Sequence, residues 1–328
     1  VNLRPSPADL HLARDEQVTG SRMRRDPTWR RIRKGVYAAA MAWDALAPWD
    51  RYLVRVHAFA LTHPDAVFCF ESAAALLGLP VFGEPCDIHV LAGPRSPGRR
   101  HGDVVVHANV RARAVAEFGP IAITTPQETV VDLARVLPPA FGLAVVDAAL
   151  RRAEFAGLAG AMQDAAERTG ARGARRVEWI RERADASAES VLESVGRAAI
   201  EWWGFEAPTL QVVIRTGAIC DRVDFAWPDR RVIGEADGDV KYSNDPDEAR
   251  RQVLAEKRRE DRLRRIAGGF VRWGWAETMA LHATRDVVPV RDLLLGVGLP
   301  QVRNPKVRML ATLAANPRSI PHARLLPG

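Results

Sequence analysis

Two hydrophobic periods alternate along this chain, and their order divides it into segments. Apolar residues recur at helical spacing in RYLVRVHAFALTHP up to Pro64, in ESAAALLGL at 71–79, and in TPQETVVDLARVL at 125–137. They do so again in ASAESVLESVGRAAIEWWG, where Val191, Leu192, Val195, Ala199 and Trp202 or Trp203 share a face. Period-two alternation marks DIHVLA, DVVVHA and VDFAW as strands, and IAI as a shorter one. Thr125 with Glu128 has the spacing of a capping box, and in the capped 186–204 segment Ser187 sits before Glu189 and Ser190. Residues 1–47 read as a small helical unit ending in a strand, and 48–150 as a mixed α/β region. Residues 151–185 read as a helical connector, 186–285 as an α/β domain, and 286–328 as a proline-containing tail, loosely ordered beyond a short helix at RDLLLGVG.

In the first segment DLHLARDEQV predicts a helix, Thr19-Gly20-Ser21 a break, and SRMRRDPTWRRI a second, basic helix interrupted by Pro27. KGVYA then turns into a strand. Helix, break, basic helix and glycine-turned strand is the order of a reduced winged helix-turn-helix. Seven basic residues lie there, Arg22, Arg24, Arg25, Arg30, Arg31, Arg33 and Lys34, against Asp26 alone. They are candidate DNA contacts; the competing reading is a solvated arginine face. The GPRSPGRRHG loop carries a second basic tip at Arg95, Arg99, Arg100 and His101.

Candidate chemistry concentrates between Asp221 and Lys241, DRVDFAWPDRRVIGEADGDVK. VDFAW and VIGEAD read as hairpin strands joined by a turn at PDRR. The implied register pairs Trp227 with Val232 and Phe225 with Gly234, and sets Asp224 opposite Glu235 with Asp237 on the same face. Opposed like charges destabilise a hairpin, and a hard divalent cation such as Mg²⁺ would offset that repulsion. A one-residue slip would instead leave the acids on a solvated sheet. Glu193 on the preceding helix is a further candidate acid. Downstream, EARRQVLAEKRREDRLRRIAGG predicts a long charged helix offering Lys257, Arg258, Arg262 and Arg265 to a phosphate backbone.

Composition adjusts this picture little. Hydrophobic residues make up 47% and charged residues 27%, as in an ordinary soluble protein. The net charge of +7 points to polyanionic partners. Arginine far outnumbers lysine, however, which occurs only at 34, 241, 257 and 306; genomic base composition would produce the same bias. Cys69, Cys86 and Cys220 form no CxxC, which excludes a zinc ribbon or a disulfide framework. VNLRPSPADL lacks the apolar core of a signal peptide, and no apolar run reaches the ~18 residues of a membrane span, so a cytoplasmic, non-membrane protein is expected.

Residues 186–285 resemble the PD-(D/E)xK nuclease superfamily, and more closely the very-short-patch-repair-like bacterial proteins of unknown function. The matching pieces are Glu193, Gln211, Asp224, Glu235-Ala236-Asp237-Gly238, the EKRRED helix and Val271-Arg272-Trp273. The resemblance implies a restriction-endonuclease-like α/β core using Mg²⁺ or Mn²⁺ at Asp224, Glu235 and Asp237. Two positions depart from the pattern: Asp237 stands where a lysine is expected, and Lys241 where a histidine is. Lys241 or Lys257 would then supply the missing cation. The first 150 residues resemble AbiEi-type antitoxin and regulator proteins, through the basic segment reaching Lys34-Gly35-Val36-Tyr37, through Ser72–Pro80, and through Thr125-Pro126 to Asp132-Leu133-Ala134. That resemblance implies an N-terminal winged helix on promoter DNA and a cognate toxin as partner.

The sequence therefore predicts an α+β multidomain protein: an N-terminal winged helix-turn-helix, a mixed α/β middle region and a C-terminal restriction-endonuclease-like α/β core. The function expected is a metal-dependent DNA endonuclease with Asp224, Glu235, Asp237, Lys241, Glu193 and Lys257 as candidate catalytic residues. Two alternatives stand beside it: a non-catalytic DNA-binding regulator or antitoxin retaining an inert nuclease fold, and a structural partner-binding module.

Overall fold

The computed structural model describes residues 2–14, 23–83, 85–93, 96–109, 112–168, 172–217, 219–238 and 246–314. It is an α+β protein with three sheets, dividing into two compact units. Among the described residues, one unit comprises the chain to Leu137 with Arg152–Arg183; the other comprises Pro138–Arg151 with Ala184 to residue 314. No helix among the described residues is long and apolar enough to cross a membrane.

The first unit opens with a three-stranded antiparallel sheet in the order β1 (His11–Leu12), β3 (Val36–Ala39), β2 (Trp29–Arg33). Strand replaces expected helix at two places among the described residues; residues 15–22, where both expected helices also run, lie outside them. The His11–Leu12 segment pairs with Tyr37 and Val36 as a strand, and the basic segment after Pro27 is extended. Asp26 Oδ1 accepts hydrogen bonds from the Thr28 amide (2.9 Å) and hydroxyl (2.6 Å), closing the turn that leads into β2. The β2–β3 register slips by one between Arg31 and Arg33, so Ile32 is the extra residue of a bulge; it packs on Ala38 and Val54. Gly35, at φ +80°, makes the hairpin turn.

A six-stranded sheet follows, with β4 (Val67–Phe68), β5 (Ile88–Leu91), β6 (Arg99–His101), β7 (Val104–His107), β8 (Val115–Phe118) and β9 (Ile121–Thr124) in the order β6-β7-β5-β4-β9-β8. The two alternating segments found in the sequence, β5 and β7, pair in parallel. The basic tip is itself the edge strand β6, antiparallel to β7. Helices Pro48–Thr62, Phe70–Leu77 and Pro126–Val136 lie near their predicted positions. Gly78 ends the second in the left-handed region (φ +68°), and the Thr125 hydroxyl caps the third at the Glu128 amide.

The segment expected as a helical connector, 151–185, carries two α-helices among the described residues. Helices Leu158–Glu167 and Ala174–Arg181 belong to the first unit, while Pro139–Leu150, buried almost throughout, belongs to the second. A helix buried on nearly every residue needs cover on every side.

The second unit is built on β10 (Thr209–Thr216), β11 (Ile219–Trp227), β12 (Val232–Ala236) and β13 (Gly269–Trp273), in sequential order. The first three are antiparallel, and β13 runs parallel to β12 after crossing over through helix Pro246–Ile266. Ala226, Ile233 and Phe270 pack on Leu263 of that helix. Phe225 stacks on Trp273 at 5.1 Å, under helix Val191–Trp202. Gly234 is required there: a Cβ would stand 2.6 Å from the Trp273 ring. The tail is packed through residue 314, since Val290, Leu294, Leu299, Leu310 and Leu313 are buried and Lys306 N–H donates to the Trp202 carbonyl at 2.7 Å. Its later prolines lie outside the described residues.

Candidate functional site

The β11–β12 hairpin has the register read from the sequence: Trp227 opposite Val232, Ala226 opposite Ile233 and Phe225 opposite Gly234. Backbone pairing stops there, one step before Asp224 would meet Glu235. The Asp224 carboxylate takes over as acceptor, with Oδ2 receiving the Ala236 amide at 2.9 Å. Two opposed carboxylates are thereby kept off a tight ladder position.

On the other side of Asp224 stands Gln211, in the gap of the β10–β11 register between Leu210–Phe225 and Val212–Val223. Its backbone is left-handed (φ +51°), a conformation disfavoured for any residue with a Cβ. Gln211 Nε2 donates to Glu193 Oε2 (2.8 Å) and to Asp224 Oδ1 (3.3 Å), drawing a helix acid and a strand acid to one amide. Glu193 is 4% exposed and sits one turn into its helix; Ser190 Oγ caps the Glu193 amide, and Glu193 Oε2 receives the Glu189 amide at 2.9 Å. Burial pushes the Asp224 carboxyl up to about 6; its bond from Ala236 opposes this, while the charges of Glu193 and Glu235 reinforce it.

Glu235 is engaged differently. Arg259 of helix Pro246–Ile266 grips both its oxygens, at 2.6 and 2.8 Å, and donates to the Arg222 carbonyl. Those bonds hold the guanidinium well above its usual range. Arg272 lies 3.5 Å from Glu235 and 3.5 Å from Asp237, and its shortest contact is Glu256 at 2.6 Å. Arg262 grips Asp221 through two bonds, 2.7 and 3.0 Å. The helix is thus zipped to the sheet by arginine–carboxylate pairs.

Two proteins of Mycobacterium tuberculosis, uncharacterized protein Rv2248 of strain H37Rv and uncharacterized protein MT2308 of strain CDC 1551, are each 35% identical to this chain over 211 residues. The alignment covers 63% of this chain and 73% of either relative. The chain belongs to their family. No family model and no solved structure matches it.

In this member of the mycobacterial family, then, the structure brings together Glu193, Gln211 and Asp224, with Glu235 adjoining. Asp237, expected as a metal ligand, neighbours Arg272. Among the described residues no three His, Cys, Asp or Glu side chains form a group that could hold a metal ion. Asp224 and Glu193 suit a hard cation, being acids with an amide between them; Glu235 suits one only in exchange for Arg259. Lys257 is exposed and makes no ion pair among the described residues, and Lys241 lies outside them.

Among the candidate DNA contacts, Arg262 is held by Asp221, while Arg258 and Arg265 are exposed. Arg24, Arg25, Arg31 and Lys34 are exposed; Arg30 pairs with Asp44 at 3.1 Å and Arg33 with Asp103 at 2.8 Å. Arg22 lies outside the described residues. The sequence reading missed Arg259 and Asp221. Their signal was helical spacing: Arg259 lies four residues before Leu263, the buried apolar residue of its helix, and so shares its inward face.

Proposed function

We propose that this protein is a metal-dependent DNA endonuclease-like protein with an N-terminal DNA-binding module. The observation that carries the reading is the convergence of Glu193 and Asp224 on the Gln211 amide, beside Glu235, where the hairpin ladder opens. The element order supports it too: helix, three antiparallel strands, crossover helix and parallel strand is the order expected of a restriction-endonuclease-like core. Mg²⁺ or Mn²⁺, when bound, would supply Lewis-acid polarisation of a phosphate and a lowered pKa for water. Asp224 and Glu235 are the residues that would hold it, with Glu193 and Asp237 supporting. Gln211 orients the Glu193 and Asp224 carboxylates towards a common point. Arg258 and Arg265, with Lys257, offer exposed charge for a phosphate backbone. In the N-terminal segment the β2–β3 hairpin, with Arg31 and Lys34 exposed at its turn, suits the wing of a winged helix.

A second reading, the non-catalytic regulator or antitoxin with an inert nuclease fold, is favoured by the bidentate Arg259–Glu235 pair. An arginine that neutralises Glu235 removes the need for another cation. One experiment separates the two. Supercoiled plasmid and single-stranded DNA are incubated with the wild type and Asp224→Asn, in Mg²⁺ or Mn²⁺ against EDTA. Metal-dependent cutting lost in the variant is the expected result. Tight, salt-sensitive duplex binding with no cutting on either substrate would transfer the conclusion to the regulator.

A further inference from the structure

A second feature, in the first unit and independent of the carboxylate cluster, points to a ligand. Helix Pro48–Thr62 covers one face of the six-stranded sheet and stops at His63, which is its C-cap. Beyond that end no element among the described residues covers the sheet edge, leaving a cleft of about 580 Å³ between His63, the β5 end and the β6–β7 edge. Its floor is apolar: Val90, Val104 and Val106 share one sheet face because the β5–β7 register pairs Val90 with Val106 and Ile88 with Val104. An adjoining cleft of about 430 Å³ shares Thr62 and His63 and is walled by Arg33, Lys34 and Asp103.

The charges around these clefts are sorted by strand geometry. On β6, Arg99 and His101 lie opposite Val106 and Val104, on the cleft face, while Arg100 between them faces the other way. Arg100 is engaged by buried Asp87 at 2.9 Å. Arg99, His101 and Lys34 are exposed and form no ion pair among the described residues. Asp103 is shared by two arginines, Arg33 (2.8 Å) and Arg55 (2.9 Å), so that group retains one positive charge. Against the charges of Arg99 and Lys34 stands Asp65 at the rim. His63 is fixed flat on Phe59, rings 4.0 Å apart and 4° from parallel, with Nδ1 on the Phe59 carbonyl. A planar surface, an apolar floor and unpaired cations within a volume of ordinary small-ligand size belong together.

We propose that this cleft binds a nucleoside phosphate, with its base on the valine floor beside His63 and its phosphate on Arg99 and His101. Lys34, in the adjoining cleft past His63, suits a second phosphate. The same chemistry is presented by a free nucleotide and by one unit of an unpaired nucleic-acid strand. Stacking on a ring and apolar contact accept any base, and the cations recognise phosphate regardless of sequence.

The test uses the full chain. AMP and TMP are titrated by calorimetry, and a labelled (dT)12 strand by fluorescence anisotropy, against wild type, Arg99→Glu, Val106→Trp and, as an equal charge change elsewhere, Arg285→Glu. Arg99→Glu removes the phosphate contact on an exposed edge strand, and Val106→Trp fills the floor without altering charge. Binding weakened about ten-fold or more by both variants, a change near 1.4 kcal/mol, and unchanged in Arg285→Glu, is the expected result. Mononucleotide binding without strand binding identifies a free nucleotide as the ligand, and the converse identifies a strand. No binding of either, or loss in Arg99→Glu with full retention in a folded Val106→Trp, overturns the proposal. The second of those outcomes would mean that surface charge alone is at work.

Discussion

Asp224 is held by one strand amide, one side-chain amide and two neighbouring negative charges, and its carboxyl is raised to about 6 from an ordinary 3.8. A raised carboxyl binds its proton more tightly in the folded state than in the unfolded chain. Stability therefore falls as the pH rises from about 4 to about 6, and stays lower above that. A shift of about two units corresponds to roughly 3 kcal/mol at most, and solvent screening of this half-buried group reduces it to about 1–2 kcal/mol. Asp224→Asn keeps the acceptor for Ala236 and removes the charge. Urea unfolding at pH 5 and pH 7.5 should show the wild type losing stability between the two while the variant loses less. Parallel behaviour of the two proteins would show that Asp224 titrates normally.

At the scale of elements, the 191–202 helix and the β11–β12 hairpin carry the cluster, and each depends on one identifiable contact. Ser190 caps the helix at the Glu193 amide (3.1 Å), so Ser190→Ala should cost about 1 kcal/mol in chemical denaturation. It should also loosen Glu193, because the cap fixes the turn that aims that side chain at Gln211. Gly234 admits the Trp273 ring against the hairpin. Gly234→Ala overpacks that contact and should destabilise the second unit by about 1–3 kcal/mol, read from the midpoint of urea unfolding followed by tryptophan fluorescence. An unchanged midpoint would show that the ring has room to move.

At the scale of the whole molecule, the net charge of +7 is a poor guide to where nucleic acid would lie. Arg30, Arg33, Arg259, Arg262 and Arg272 are all held by carboxylates. The charges at Arg31, Lys34, Arg258 and Arg265 are exposed, and the proposed backbone contacts would fall to them. Replacing Arg31 or Lys34 with alanine should weaken duplex binding without changing sequence preference, and should reduce the salt slope of binding by about one each. Arg262→Ala should instead lower stability, since it strands Asp221, which is 5% exposed.

Local patterns were enough for the helices at 48–62, 70–77, 126–136 and 191–202, and for the hairpin register, because side-chain period and turn chemistry are properties of short segments. They also nominated Glu193, Asp224 and Glu235, whereas Gln211 came only from the resemblance to the PD-(D/E)xK superfamily. They failed where a distant partner outweighs local preference. Trp29–Arg33 is a strand because β3 offers it backbone bonds and Ile32 reaches Ala38 and Val54. The tail to residue 314 is ordered because helix 191–202 leaves backbone acceptors and an apolar surface to cover. Which arginine meets which carboxylate was equally out of reach, since Arg259 and Glu235 are separated by the whole crossover helix entry. Sequence by itself determined those four helices, the hairpin register and the acids at the cluster. Tertiary structure alone decided that Glu193 and Asp224 share an amide while Glu235 takes an arginine, because pairing among charges depends on through-space distance.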